Sequence, residues 1–141
     1  MVALAVLLLL VACTPTRYTV SLRDPASPLT VNFFDRTGLV QQVVLGEVSQ
    51  RDIEAAGTLE VYNESPEKVR AVWLGGTCPS TATMTLEAGI GGILALTLDQ
   101  GPRCFTDDGV VRVAEIRFLR PTEAESISVL DVSNRNPAPS N

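Results

Sequence analysis

The sequence predicts an all-β protein: an antiparallel β-sandwich of the immunoglobulin-like kind, with room for one short helix. Three observations carry this. Val, Thr and Gly are common while Lys, Met and Gln are scarce, a balance that suits a pleated surface better than a helix. Several stretches alternate apolar and polar side chains with period two. Turn residues interrupt the chain about every 8 to 12 positions, the rhythm of a sandwich or barrel.

The strands follow in order. Tyr18 to Arg23 is the first, stopped by Asp24-Pro25 and Ser27-Pro28. Leu29 to Asp35 is the second. Arg36-Thr37-Gly38 then reads as a hairpin turn, with Gly38 free to take a positive φ. Leu39 to Gly46 is the third strand. Thr58 to Asn63 is the fourth and turns at Glu64-Ser65-Pro66-Glu67. Lys68 to Leu74 is the fifth, halted by Gly75-Gly76. Ala82 to Glu87 is the sixth, and Gly89-Ile90-Gly91-Gly92 turns it into the seventh, Ile93 to Asp99. Val110 to Leu119 is the eighth and ends at Arg120-Pro121. Ser126 to Val132 is the ninth. Alternation is cleanest where Met84 and Leu86 face away from Thr83, Thr85 and Glu87. The same pattern sets Leu94, Leu96 and Leu98 against Ala95, Thr97 and Asp99, and Ala114, Ile116 and Phe118 against Glu115 and Arg117.

The one helix is expected between the third and fourth strands. Ser49 is placed to be its N-cap, and Asp52 makes a capping-box variant. Val48 and Ile53 occupy the staple positions, and Gly57 follows Glu54-Ala55-Ala56 as a C-terminal stop.

Composition removes several functions. The chain has 141 residues and a net charge of −5, suited to one domain. The arginines are scattered singly and Lys68 is the sole lysine, so no basic stripe exists and nucleic acid is not an expected partner. The acidic balance gives no electrostatic attraction to anionic lipid. Histidine is absent, which excludes His-dependent triads and His-ligated zinc. An enzyme is therefore not expected, and neither a cofactor nor a metal is called for.

The N-terminus carries a different message. Met1 to Ala12 is almost entirely Val, Ala and Leu, with no charged side chain. As a helix it would span about 18 Å, short of the roughly 30 Å hydrocarbon core. Its length fits the apolar region of a secretory signal. The usual positive segment is missing, which points to a start upstream or a trimmed chain. Leu10-Val11-Ala12-Cys13 resembles the lipobox of bacterial lipoproteins: aliphatic, small or aliphatic, small, then Cys. The resemblance implies that residues 1–12 are a lipoprotein signal peptide cut before Cys13. It implies that Cys13 is the lipid attachment site, carrying acyl chains of the palmitate kind, and that residues 13–17 are a lipidated tether. Each buried methylene contributes about 0.8 kcal/mol, so two or three chains hold where one would not.

The cysteines number three: Cys13, Cys78 and Cys104. With Cys13 assigned to lipid, Cys78 and Cys104 remain as a pair, and an exported location favours a disulfide between them. The loop they close would contribute about 3.5 kcal/mol in the chain-entropy view. Metal binding or thiol redox chemistry are the alternatives. The spacing is wrong for CxxC, and two thiolates without His rarely make a metal site.

Trp73-Leu74-Gly75-Gly76-Thr77-Cys78, with Asp107-Asp108-Gly109-Val110 and Phe118-Leu119-Arg120-Pro121 beyond, resembles a group of small uncharacterised bacterial lipoproteins. These show Trp-x-Gly-Gly-x-Cys, then a second Cys before a long strand ending at Pro. Leu74 stands where that pattern has Thr. The resemblance runs from about Asn63 to Val129. It implies a one-disulfide β-domain on a lipid tether and carries no activity to transfer.

Few residues suggest a site. Trp73 reads two ways: as a core residue packed near a disulfide, or, if exposed, as a contact for a ligand or partner. Alternation puts Val69, Ala71 and Trp73 on one face and Arg70, Val72 and Leu74 on the other, so the pattern does not decide. Asp107-Asp108-Gly109 reads as a turn rather than a calcium loop, since EF-hand spacing is absent. Gly89-Ile90-Gly91-Gly92 lacks the Lys-Ser/Thr of a phosphate loop. Glu60, Glu64 and Glu67 read as solvated side chains, and no carboxylate pair stands out for hydrolysis.

The expected organisation is a signal peptide (1–12), a tether (13–17), a sandwich (18–132) and a disordered tail (133–141) rich in Pro, Ser and Asn. The expected function is a binding or interaction module on a membrane of the bacterial cell envelope, facing outside the cytoplasm. Its partner would be an envelope protein, a lipid or a glycan. A subunit of an envelope assembly and a carboxylate-dependent hydrolase are the alternatives.

Overall fold

The computed structural model describes residues 18–23, 29–75, 80–100 and 109–132. Among these described residues nine strands form two sheets. They are β1 (Thr19–Arg23), β2 (Leu29–Asp35), β3 (Val40–Leu45), β4 (Glu60–Ser65), β5 (Lys68–Gly75), β6 (Ser80–Ala88), β7 (Leu94–Asp99), β8 (Val110–Phe118) and β9 (Ile127–Asp131). One helix, α1 (Gln50–Ala55), lies between β3 and β4. The five-stranded sheet has the order β1-β2-β6-β7-β9, and the four-stranded sheet β3-β8-β5-β4. This is the all-β sandwich that the alternation predicts.

Pairing within the sandwich is not wholly antiparallel. β2 runs parallel to β6, and β7 runs parallel to β9. These two parallel pairs depart from the wholly antiparallel pairing expected of the sandwich. The cause lies in the connections. Arg36-Thr37-Gly38 is a turn, and Gly38 takes φ 74° as expected. It is not a hairpin, however, because β2 and β3 belong to different sheets. The chain changes sheet there, makes the β4–β5 hairpin, and returns from the end where β5 stops. β6 therefore begins beside the start of β2 and runs the same way. The same logic aligns β9 with β7 after β8.

Asp35 fixes the sheet change. Alternation along β2 turns Leu29, Val31 and Phe33 inward, and Asp35 follows them into a buried position. Its carboxylate accepts from Thr37 N (2.8 Å), Thr37 Oγ1 (2.6 Å) and Val40 N (3.0 Å), satisfying two of the segment's backbone donors.

The core lies between the sheets. Val31, Phe33, Met84, Leu86, Leu96 and Leu98 come from one sheet, and Val43, Val69, Ala71, Trp73, Ala114, Ile116 and Phe118 from the other. Trp73 is the largest fully buried side chain, with 0% of its surface exposed. Of the two readings of Trp73, burial agrees with the core one and corrects that of an exposed ligand or partner contact: the inward face of β5 leaves no ring face for stacking.

Candidate functional site

The sequence-derived site residues Cys13, Cys78 and Cys104 lie outside the described residues, as do Asp107, Asp108 and the tail 133–141. Glu60, Glu64 and Glu67 are exposed, as expected. The structure instead gathers charged groups on the outer face of the four-stranded sheet.

Two segments build this cluster. On the sheet, Tyr62, Arg70, Glu115 and Val44 stand in one cross-strand row, set by the register of β4, β5, β8 and β3. Above the row lies α1, packed against β5 and β8. The chain reaches α1 through Gly46, where a Cβ would come within 3.0 Å of Glu115 Cγ. At six residues α1 is too short to hold itself. Ser49 and Asp52 close the predicted capping box: Ser49 N donates to Asp52 Oδ2 (2.7 Å) and Asp52 N donates to Ser49 Oγ (3.3 Å). The stop differs from the prediction. α1 ends at an extended Ala56, and Gly57 does not take a positive φ.

Asp52 is fully buried and points down at the sheet. Arg70 Nη2 donates to its Oδ2 at 2.7 Å, and Tyr62 Oη donates to its Oδ1 at 2.6 Å. Arg70 also donates to Glu47 O and to Glu115 Oε1, each at 2.5 Å. Lys68 Nζ completes the network, 3.4 Å from Glu64 and 3.5 Å from Glu115. Arg51 stacks its guanidinium 3.9 Å above the Tyr62 ring.

Protonation states follow from this geometry. Burial works against a charged Asp52, but hydrogen bonds from Arg70, Tyr62 and Ser49 outweigh it and hold the carboxyl well below the usual carboxylate range. Burial likewise works against a charged Arg70, and the hydrogen bond and charge of Asp52, with Glu115 adding to it, hold the guanidinium above its ordinary value. The Tyr62 phenol is pushed up by burial and by its hydrogen bond to Asp52.

This arrangement is suited to holding, not to proton transfer. A general acid needs a carboxyl raised toward neutrality, and Asp52 is shifted the other way. Arg70 spends its charge on Asp52 and Glu115, and Glu115 spends its own on Arg70 and Lys68. An open recess of about 560 Å³ lies beside them, lined by Gly46, Glu47, Ser49, Tyr62, Glu64 and Arg70. Within it Arg70 is already held by Asp52 and Glu115, and Glu64 and Glu115 by Lys68. Sequence reading found the capping box but missed the ion pair. The signal was present: a charged Arg70 inside the apolar run Val69 to Leu74 demands a buried partner.

A second recess, of about 790 Å³, opens at the end of the sandwich where β4 turns into β5. Leu39, Pro66, Gly92, Leu94, Pro121 and Thr122 are among its walls. Asn63 builds its rim, donating to Thr122 O (2.7 Å) and accepting from Ala124 N (2.7 Å). This ties the β8–β9 connection to β4 at the site of a register shift after Asn63.

Compared with family models, with curated proteins and with solved structures, the chain has no match.

Proposed function

We propose that this chain is an exported bacterial lipoprotein whose sandwich acts as a binding or interaction module at the envelope. Residues 1–12 serve as signal, Cys13 carries the acyl chains, and Cys78 pairs with Cys104. The observation that carries the reading is Leu10-Val11-Ala12-Cys13 at the close of an uncharged apolar run. Four residues separate Cys13 from Tyr18, so the anchored domain lies close against its membrane. The ion-paired state of Asp52, Arg70 and Glu115 supports a module over a carboxylate hydrolase.

The test is Cys13→Ala in a bacterial host, with fractionation and intact mass of the product. The parent chain should sit in the membrane fraction with acyl mass on Cys13, and the variant should be released. Membrane retention of the variant, or a parent without acyl mass, would overturn the anchor. Peptide mapping without reductant should link Cys78 to Cys104, and free thiols at both would refute the pair.

A further inference from the structure

The strand directions bring one set of turns together. Tyr18, the 36–39 sheet change, the Pro66-Glu67 turn, the Gly89–Ile93 turn and the Leu119–Glu123 connection all lie at the same end. Backbone hydrogen bonds join them: Asp35 N to Tyr18 O, Arg36 N to Leu86 O, Leu119 N to Leu39 O and Thr122 N to Pro66 O, all within 2.7–2.9 Å.

This end exposes large apolar side chains. Ile90 is 97% exposed, Leu119 62% and Ile93 49%. Turn chemistry does not ask for isoleucine; Asn, Asp, Ser and Gly are the residues that turns favour. Nor is Ile90 loosely held. Gly91 and Gly92 take φ of 71° and 79°, and a Cβ at Gly89 would meet Ile93 O at 2.7 Å. The glycines shape a defined tip, and the tip presents Ile90 outward. The surrounding charges are mixed, with Arg36 bridged to Glu87 at 3.5 Å and Arg120 near Glu123 in sequence. Attraction to a strongly anionic surface is therefore not the driving force.

The chain enters the sandwich at this same end. From Cys13 to Tyr18 the backbone reaches at most about 17 Å. If Cys13 is held in the bilayer, the end bearing Tyr18, Ile90 and Leu119 faces the lipid. We propose that this end is a membrane-docking face, with Ile90 and Leu119 seated in the interface of a zwitterionic bilayer. Burial of apolar side chains at that depth is favourable, and the Arg36 and Arg120 stems can lie along it with their heads among phosphates. The proposal rests on the lipid-anchor reading and adds an orientation to it.

The experiment uses the full chain, purified from membranes, with acyl mass on Cys13 verified. It is reconstituted into phosphatidylcholine vesicles with brominated acyl chains, which quench nearby tryptophan. Ile90→Trp places a reporter at the tip. Leu74→Trp places one at the far end of β5, where the side chain is 42% exposed. Trp73, fully buried, is the shared background. The added emission of Ile90→Trp should fall by about two-fold or more, consistent with interfacial depth, while that of Leu74→Trp should not. Equal quenching at both sites, or none at Ile90→Trp, would overturn the docking face while leaving the anchor intact. A blue shift of Ile90→Trp without bromine quenching would also overturn it, because a protein surface would then cover the tip. A chain without acyl mass would overturn both readings.

Discussion

Asp52 Oδ2 and Arg70 Nη2 meet at 2.7 Å, joining a six-residue helix to the four-stranded sheet. Neither group belongs in a protein interior alone. Asp52 has no exposed surface and Arg70 is nearly as enclosed. Their charges are stable there because each satisfies the other and because Ser49, Tyr62, Glu47 and Glu115 supply further bonds, leaving Arg70 Nε as a buried donor without an acceptor among the described residues. The pair is the fastening that makes so short a helix permanent.

Asp52→Asn is expected to cost about 3 kcal/mol, the range for breaking a buried pair when one charge is left behind. Glu115 softens the loss by keeping Arg70 partly matched. The pH dependence has a definite sign. The folded carboxyl is held below its unfolded value of about 3.9. Its contribution is therefore present above about pH 4 and fades as pH falls below that. Urea unfolding between neutral pH and the acid limit should show the parent losing stability in this window and Asp52→Asn losing less. A cost under about 1 kcal/mol would place the pair with surface bridges.

Tyr62 adds a second, opposite signature. Its phenol is pushed up by burial and by donation to Asp52. A raised value means that the neutral, donating form is favoured in the folded protein. That contribution is complete below the ordinary tyrosine value of about 10 and is lost as pH rises through the raised one. Tyr62→Phe should cost about 2 kcal/mol, typical of a hydrogen bond to a charged acceptor. Alkaline absorbance titration should show one tyrosine ionising late in the parent and none in Tyr62→Phe. Late ionisation that persists in the variant would show that Tyr62 is not its source.

These two residues also mark where sequence reading ends. Every strand was legible within a few positions, because half-buried strands write period two into the chain: Met84 and Leu86, Leu94 to Leu98, Ala114 to Phe118. The Ser49–Asp52 box was legible because it is local. The partner of Arg70 was not, since Asp52 lies 18 residues away and reaches it only when α1 folds over the sheet. The Arg36-Thr37-Gly38 turn was legible as a turn, but nothing in three residues says which sheet receives the next strand. That single ambiguity hid the parallel pairing of β2 with β6. Strand β5 hid its inward face for a related reason. Arg70, covered by Asp52 of α1, and Val72 are buried on the outer side, so both faces of β5 read as interior.

Trp73 is where that ambiguity matters most, and its fate can be measured. The side chain fills the core with no exposed surface, and its indole N–H meets no acceptor among the described residues. Trp73→Ala should therefore cost about 3–5 kcal/mol through lost burial and the cavity left behind, a large share of a small domain's stability. Trp73→Phe should cost distinctly less. It keeps an aromatic ring in place and removes a buried donor whose desolvation opposes folding. As the chain has one tryptophan, emission reports this site alone. It should be blue-shifted, resist iodide, and stay unchanged on titration with sugars or other ring-bearing ligands. Strong iodide quenching, or an emission shift on adding such a ligand, would return Trp73 to the surface as a contact residue.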